Sequence, residues 1–183
     1  MKQNKGYSLI ELVVVIAIMM VLAGVIGLQI NMIYGFYAKE CAKNLEAQLN
    51  KVQITNMSKK LTEMEIYKKN DGYYVKVIEN RGTAAEKVTE KKIGRSSIEL
   101  TYSTDAKDTS EFTLNEGTVI LIQFDRATGA MEMSASADPT KVIGCHRIWM
   151  HQKGSSKYYT VTIHKSTGKI KVEGDKVKTP TAP

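Results

Sequence analysis

Few residues in this chain have the capacity for chemistry, and the most conspicuous is one acid in an apolar setting. Glu11 stands just ahead of Leu12 to Leu28, seventeen residues without a polar side chain. A carboxylate there costs free energy, less near a membrane interface than at its centre, so such a residue needs a partner or a task. The two cysteines, Cys41 and Cys145, are too few for a disulfide scaffold and lack the spacing of a zinc site. They read as unpaired, partly buried thiols; the alternative is a single bridge closing a loop of about a hundred residues. Three histidines, His146, His151 and His164, fall on expected strands, and the step of five between the first two puts them on opposite faces. No metal site is expected from them. Trp149, the only tryptophan, reads as a core anchor. Gly-x-Ser-x-Gly, a phosphate-cradling loop and a distinguishable carboxylate pair are all missing, so neither catalysis nor a cofactor finds support.

The formal charge is +7 over 183 residues, and Lys2 and Lys5 precede the apolar run. The other basic residues are interleaved with acids such as Glu63, Glu65, Glu86 and Glu90, the pattern of a solvated surface. Nucleic-acid binding has no recognition motif behind it and stays open only through a basic face assembled in three dimensions.

Leu9 to Ile30 is 22 residues, which as a helix spans ~33 Å, enough to cross a bilayer core. The short basic leader is expected on the cytoplasmic side and the body outside. An ordinary secretory signal cut at Val21-Leu22-Ala23 fits poorly, because the apolar run continues to Ile30 and an acid interrupts its start. A plain anchor explains the length and leaves Glu11 unexplained.

The third reading rests on Gly6-Tyr7-Ser8-Leu9-Ile10-Glu11-Leu12. This segment closely resembles the type IV prepilin and type II secretion pseudopilin signal: glycine, an aromatic residue, then Thr/Ser-Leu-Ile-Glu-Leu. Tyr7 stands where phenylalanine is usual. The resemblance covers the leader and the apolar helix. It implies cleavage between Gly6 and Tyr7 by prepilin peptidase, N-methylation of Tyr7, and an assembly role for Glu11 opposite the N-terminus of a neighbouring subunit. Loss of Lys2 and Lys5 would take the charge from +7 to +5. An ammonium and a carboxylate attract more strongly in a low-dielectric setting than in water, and such a pair would set axial register.

The elements that position this segment follow from periodicity. Ala38, Cys41, Ala42, Leu45, Leu49 and Val52 recur at helical spacing, extending the helix to about Lys60. Gly24 and Gly27 are the weak points of that helix, suited either to close packing or to local melting. Beyond Glu63 short β-rich runs are separated by Asn70-Asp71-Gly72, Ala127-Thr128-Gly129 and Ser166-Thr167-Gly168. Strands are expected at 63–68, 73–78, 87–93, 97–102, 118–124, 130–133, 145–151, 158–164 and 169–172. The expected fold is α+β: a long N-terminal helix, membrane-spanning in its first half, packed on an antiparallel β-sheet head in the manner of pilins.

The organisation read from this is a leader, 1–6; a transmembrane and filament-core helix, 7–30; an extracytoplasmic head including the second half of the helix, 31–174; and a frayed tail, 175–183. Val119 to Gly129 and Tyr159 to Ile170 also resemble the minor pseudopilins of the GspH/FimT type. The implied function is a minor pilin or pseudopilin of a type IV pilus or type II secretion pseudopilus. Its implied partners are other pilin subunits, prepilin peptidase and the inner-membrane assembly platform. The alternative is a pilus-tip or competence-type pseudopilin whose head binds DNA or a surface.

Overall fold

A computed structural model describes residues 8–58, 61–105, 110–153, 155 and 157–176, without the side chains of 25–34, 175 and 176. Among the described residues one helix, α1 (Leu9–Met57), precedes ten strands. The strands are β1 (Thr62–Lys69), β2 (Gly72–Glu79), β3 (Lys87–Arg95), β4 (Ile98–Ser103), β5 (Phe112–Thr113), β6 (Val119–Gln123), β7 (Lys141–Ile143), β8 (Arg147–Gln152), β9 (Lys157–Ile163) and β10 (Ile170–Lys176). The chain divides into two compact units, Met1–Ile33 and Tyr34–Pro183.

In the larger unit the helix is amphipathic and its apolar stripe is buried. Ala38, Cys41, Ala42, Leu45, Leu49 and Val52 are at most 1% exposed, as their spacing requires. Burial of Leu45 and Leu49 alone is worth about 3–6 kcal/mol. The helix stays unbroken across Gly24 and Gly27 and ends at Met57, three residues earlier than the sequence suggests.

The strands form two five-stranded sheets, ordered β3-β2-β1-β6-β7 and β10-β9-β8-β4-β5. This corrects the expectation of one antiparallel sheet: there are two, and β6 pairs with β7 in parallel. In the first sheet Ile66 lies between Val75 and Ile120, and Met64 between Val77 and Ile122. In the second, Met150 lies between Leu100 and Tyr159, and Ile148 between Tyr102 and Val161. These rows and the helical stripe belong to one buried cluster. The run at 130–133 is not a strand; it contributes only an isolated bridge, Phe124 to Met131. β5 and β7 were not expected, and β10 extends through Lys176, into the segment read as tail.

Two amides near the end of α1 pin it to both sheets. Buried Asn56 donates to Thr62 O (2.8 Å) and Phe124 O (3.2 Å) and accepts from Thr62 N–H (2.7 Å), so it joins the start of β1 to the end of β6. Gln53 donates to Gly129 O (2.9 Å) and Gly168 O (3.1 Å). The two Thr-Gly turns thus meet at one side chain. Their contact is close enough that a Cβ on Gly168, which has φ +61°, would lie 1.9 Å from Gly129 O.

Among the described residues, no helix is long and apolar enough to cross a membrane. The segment read as membrane-spanning, 7–30, includes Tyr7 and the side chains of 25–30, which lie outside the described residues.

Gly168→Ala should lower stability by roughly 2–4 kcal/mol, from left-handed backbone strain plus the clash with Gly129. Gly82→Ala should cost only about 1 kcal/mol, because Gly82 has a positive φ (+76°) but open space around it. Chemical denaturation of the two variants measures the difference; equal losses would show that the two turns do not need their close approach.

Candidate processing and assembly site

Gly6 and Tyr7, the expected cleavage pair, lie outside the described residues. Ser8 is the first described residue, and its carbonyl accepts the first helical bond, from Leu12 N–H at 3.2 Å. Ser8 N–H in turn donates to Glu11 Oε2 at 2.9 Å. Ser8 stands at the helix N-cap and Glu11 three residues on, so the carboxylate satisfies an end group that the helix itself cannot. It also lies in the first turn, where the helix dipole favours negative charge. Sequence reasoning missed this contact, although the Ser-x-x-Glu spacing announces it. An ionised carboxylate offers about four acceptor positions, so the bond to Ser8 leaves capacity for a second donor.

Every described side chain from Ser8 to Gly24 is exposed. Leu9 is 81% exposed and Met20 70%. These residues are apolar all round the helix, a composition that belongs inside something.

Residues 1–27 match the prokaryotic N-terminal methylation motif. The match covers the same N-terminal segment that resembles the prepilin signal and supports a prepilin-type N-terminus. Proteins carrying the motif are structural pilin-type subunits that assemble with others of their kind in pili or pseudopili. No curated protein and no solved structure matches the chain.

The larger unit arranges its reactive groups differently from expectation. His146 precedes β8 and His164 follows β9, so neither is on a strand and the face argument does not apply to them. Their rings meet edge to face, with centroids 6.4 Å apart. His151 is on β8, stacked on Tyr158 at 4.4 Å, with Nε2 2.7 Å from Ser155 O. Among the described residues, no group of three or more His, Cys, Asp or Glu side chains could hold a metal ion. Trp149 is buried but does not belong to the central cluster. Alternation along β8 turns it away from Ile148 and Met150, between Thr101 and Thr160 of the neighbouring strands.

Cys41 and Cys145 are unpaired, and both are buried. Burial pushes each thiol up to about 12, with Glu40 adding to the effect on Cys41. The thiolate is the reactive form, so both should resist alkylation at about pH 8.5 until the head unfolds. The ordinary value is 9.0, and the folded thiols keep their protons above it. Their contribution to stability is therefore full below about pH 9 and is lost as pH rises towards 12. Mass spectrometry after timed alkylation, with and without denaturant, checks this; rapid labelling of either thiol in the native protein contradicts it.

Proposed function

We propose that this chain is a minor pilin or pseudopilin subunit, cut between Gly6 and Tyr7 by prepilin peptidase and methylated on Tyr7. The apolar helix then holds it in the cytoplasmic membrane with the head outside. The inner-membrane assembly platform passes it into a type IV pilus or a type II secretion pseudopilus. The observation that carries this reading is the exposed apolar run of α1 from Leu12 to Gly24, preceded by a carboxylate inside the methylation motif. Lipid covers such a surface before assembly, and the helices of neighbouring subunits cover it afterwards. The minor-subunit part rests on the resemblance of the two strand–turn segments.

Glu11 has a defined task in this scheme. Cleavage at Gly6 frees an amino group four residues before Glu11, and a carboxylate already oriented by Ser8 N–H can accept from the amino group of a neighbour. In a low-dielectric filament core that pairing neutralises two charges which are costly apart.

The membrane form should begin at methylated Tyr7 by mass spectrometry; a mature chain beginning at Gly24 would exclude prepilin processing. Glu11→Ala should leave insertion and cleavage intact, because loss of a charge eases insertion. It should reduce the fraction of mature subunit recovered in sheared filaments. Glu11→Gln separates two roles, since the amide oxygen still accepts from Ser8 N–H but carries no charge. Incorporation as poor as with Glu11→Ala supports charge pairing; normal incorporation would mean that capping the helix is enough.

A further inference from the structure

The head carries cations and an exposed ring where α1 joins it. Gly35 is the second residue of the unit that begins at Tyr34. The stem of Lys157, at the start of β9, lies over it: a Cβ on Gly35 would sit 3.2 Å from Lys157 Cδ. Phe36 is 62% exposed. Arg95 holds its guanidinium over the Tyr37 ring, 4.0 Å from the centroid. Lys153 N–H donates to Ser97 O at 3.3 Å, two residues past Arg95 in the turn between β3 and β4. Arg95, Lys153 and Lys157 are all exposed, and none makes an ion pair among the described residues. Acids also stand near this end: Glu40 lines the same recess as Arg95, Asp71 is bound to Lys92 at 2.7 Å, Glu99 lies opposite His151 on β8, and Asp175 lies opposite Tyr158 on β9.

An exposed aromatic ring among unpaired cations, just beyond an apolar segment, has the chemistry of a membrane–water boundary. Rings sit at headgroup level there, and long cationic side chains reach the phosphates. The apolar run ends at Ile30 and Phe36 follows it by six residues, a length of chain that reaches at most ~20 Å however it runs. Cations that close to an anionic leaflet are attracted to it. The guanidinium of Arg95, held against Tyr37, is oriented in advance for phosphate oxygens.

We propose that this collar seats the head on anionic phospholipid before assembly, with Phe36 as the apolar anchor and Arg95, Lys153 and Lys157 as phosphate contacts. The inference rests on the membrane reading of the helix given above. It adds a second attachment: the apolar helix holds the subunit in the bilayer, and the collar fixes the head against the surface. Leaving the bilayer for a filament then requires release of the phosphate contacts as well as withdrawal of the helix.

The test uses the full mature chain in lipid nanodiscs, of phosphatidylcholine alone or mixed with phosphatidylglycerol. A fluorophore on Ser97→Cys reports proximity to nitroxide-labelled headgroups, while the buried native thiols stay unlabelled. A second probe at Ala127→Cys, in the turn held by Gln53, serves as the distant control. Quenching at position 97 should be several-fold stronger with phosphatidylglycerol and should fall with added salt; quenching at 127 should respond to neither. Arg95→Gln combined with Lys157→Gln should reduce the seated-to-free ratio by about tenfold or more. Arg95→Lys combined with Lys157→Arg should retain most of it, which separates charge from damage to the fold. Equal quenching at 97 in both lipids, or an undiminished response in the double Gln variant, overturns the seat. A chain that enters neither disc overturns the membrane reading as well, whereas one that enters both without the lipid dependence overturns the seat alone.

Discussion

The architecture of the head depends on the buried stripe of α1. Each sheet has one apolar face, and both faces share a cluster with Cys41, Ala42, Leu45, Leu49 and Val52. Apolar burial alone is non-directional and would tolerate a helix shifted along its axis. The amides of Gln53 and Asn56 remove that freedom. Between them they bond four carbonyls and one N–H on loops and strand ends far apart in sequence, so a shift of one turn would orphan several polar groups at once. Position along the helix is therefore set by hydrogen bonds, while attachment is set by burial.

The same helix meets two environments with different rules. In the head, one face is buried and the other carries Lys39, Glu40, Lys43 and Lys51. Between Ser8 and Gly24 no face is buried, and apolar residues occupy all of them. The first pattern is satisfied within the chain; the second is satisfied only by something outside it. Glu11 stands at the far end of the second region, where the bond from Ser8 and the first-turn position reduce the cost of its charge.

The helical stripe was legible because apolar and charged residues alternate at helical period over fifteen positions, 38 to 52, with little ambiguity. The hairpin of β1 and β2 was legible for a similar reason: two alternating runs flank Asn70-Asp71-Gly72. The division into two sheets was not, because β4 pairs with β8 across more than forty intervening residues, and no local pattern encodes that choice. β5 and β7, of two and three residues, are too short to show a period. The roles of Gln53 and Asn56 were not legible, because nothing in the sequence says which amide meets a carbonyl. Of the candidate site, Glu11 was legible as a misplaced charge, and the Ser-x-x-Glu spacing that announces its bond to Ser8 was overlooked beside it.

The outer strands of the two sheets bear on how heads can associate. A sheet edge exposes unpaired N–H and C=O groups, and identical domains held side by side invite strand-to-strand pairing, domain exchange and fibril growth. Here β5 and β7 are too short to serve as templates. β3 carries Lys87, Glu90, Lys91, Lys92 and Arg95, and β10 alternates Lys171, Glu173 and Asp175 with smaller or apolar residues. A second copy of either long edge added in parallel and in register would set like charges side by side. Heads crowded together can thus touch through their side chains without fusing their sheets, so an array of them could come apart into intact single subunits.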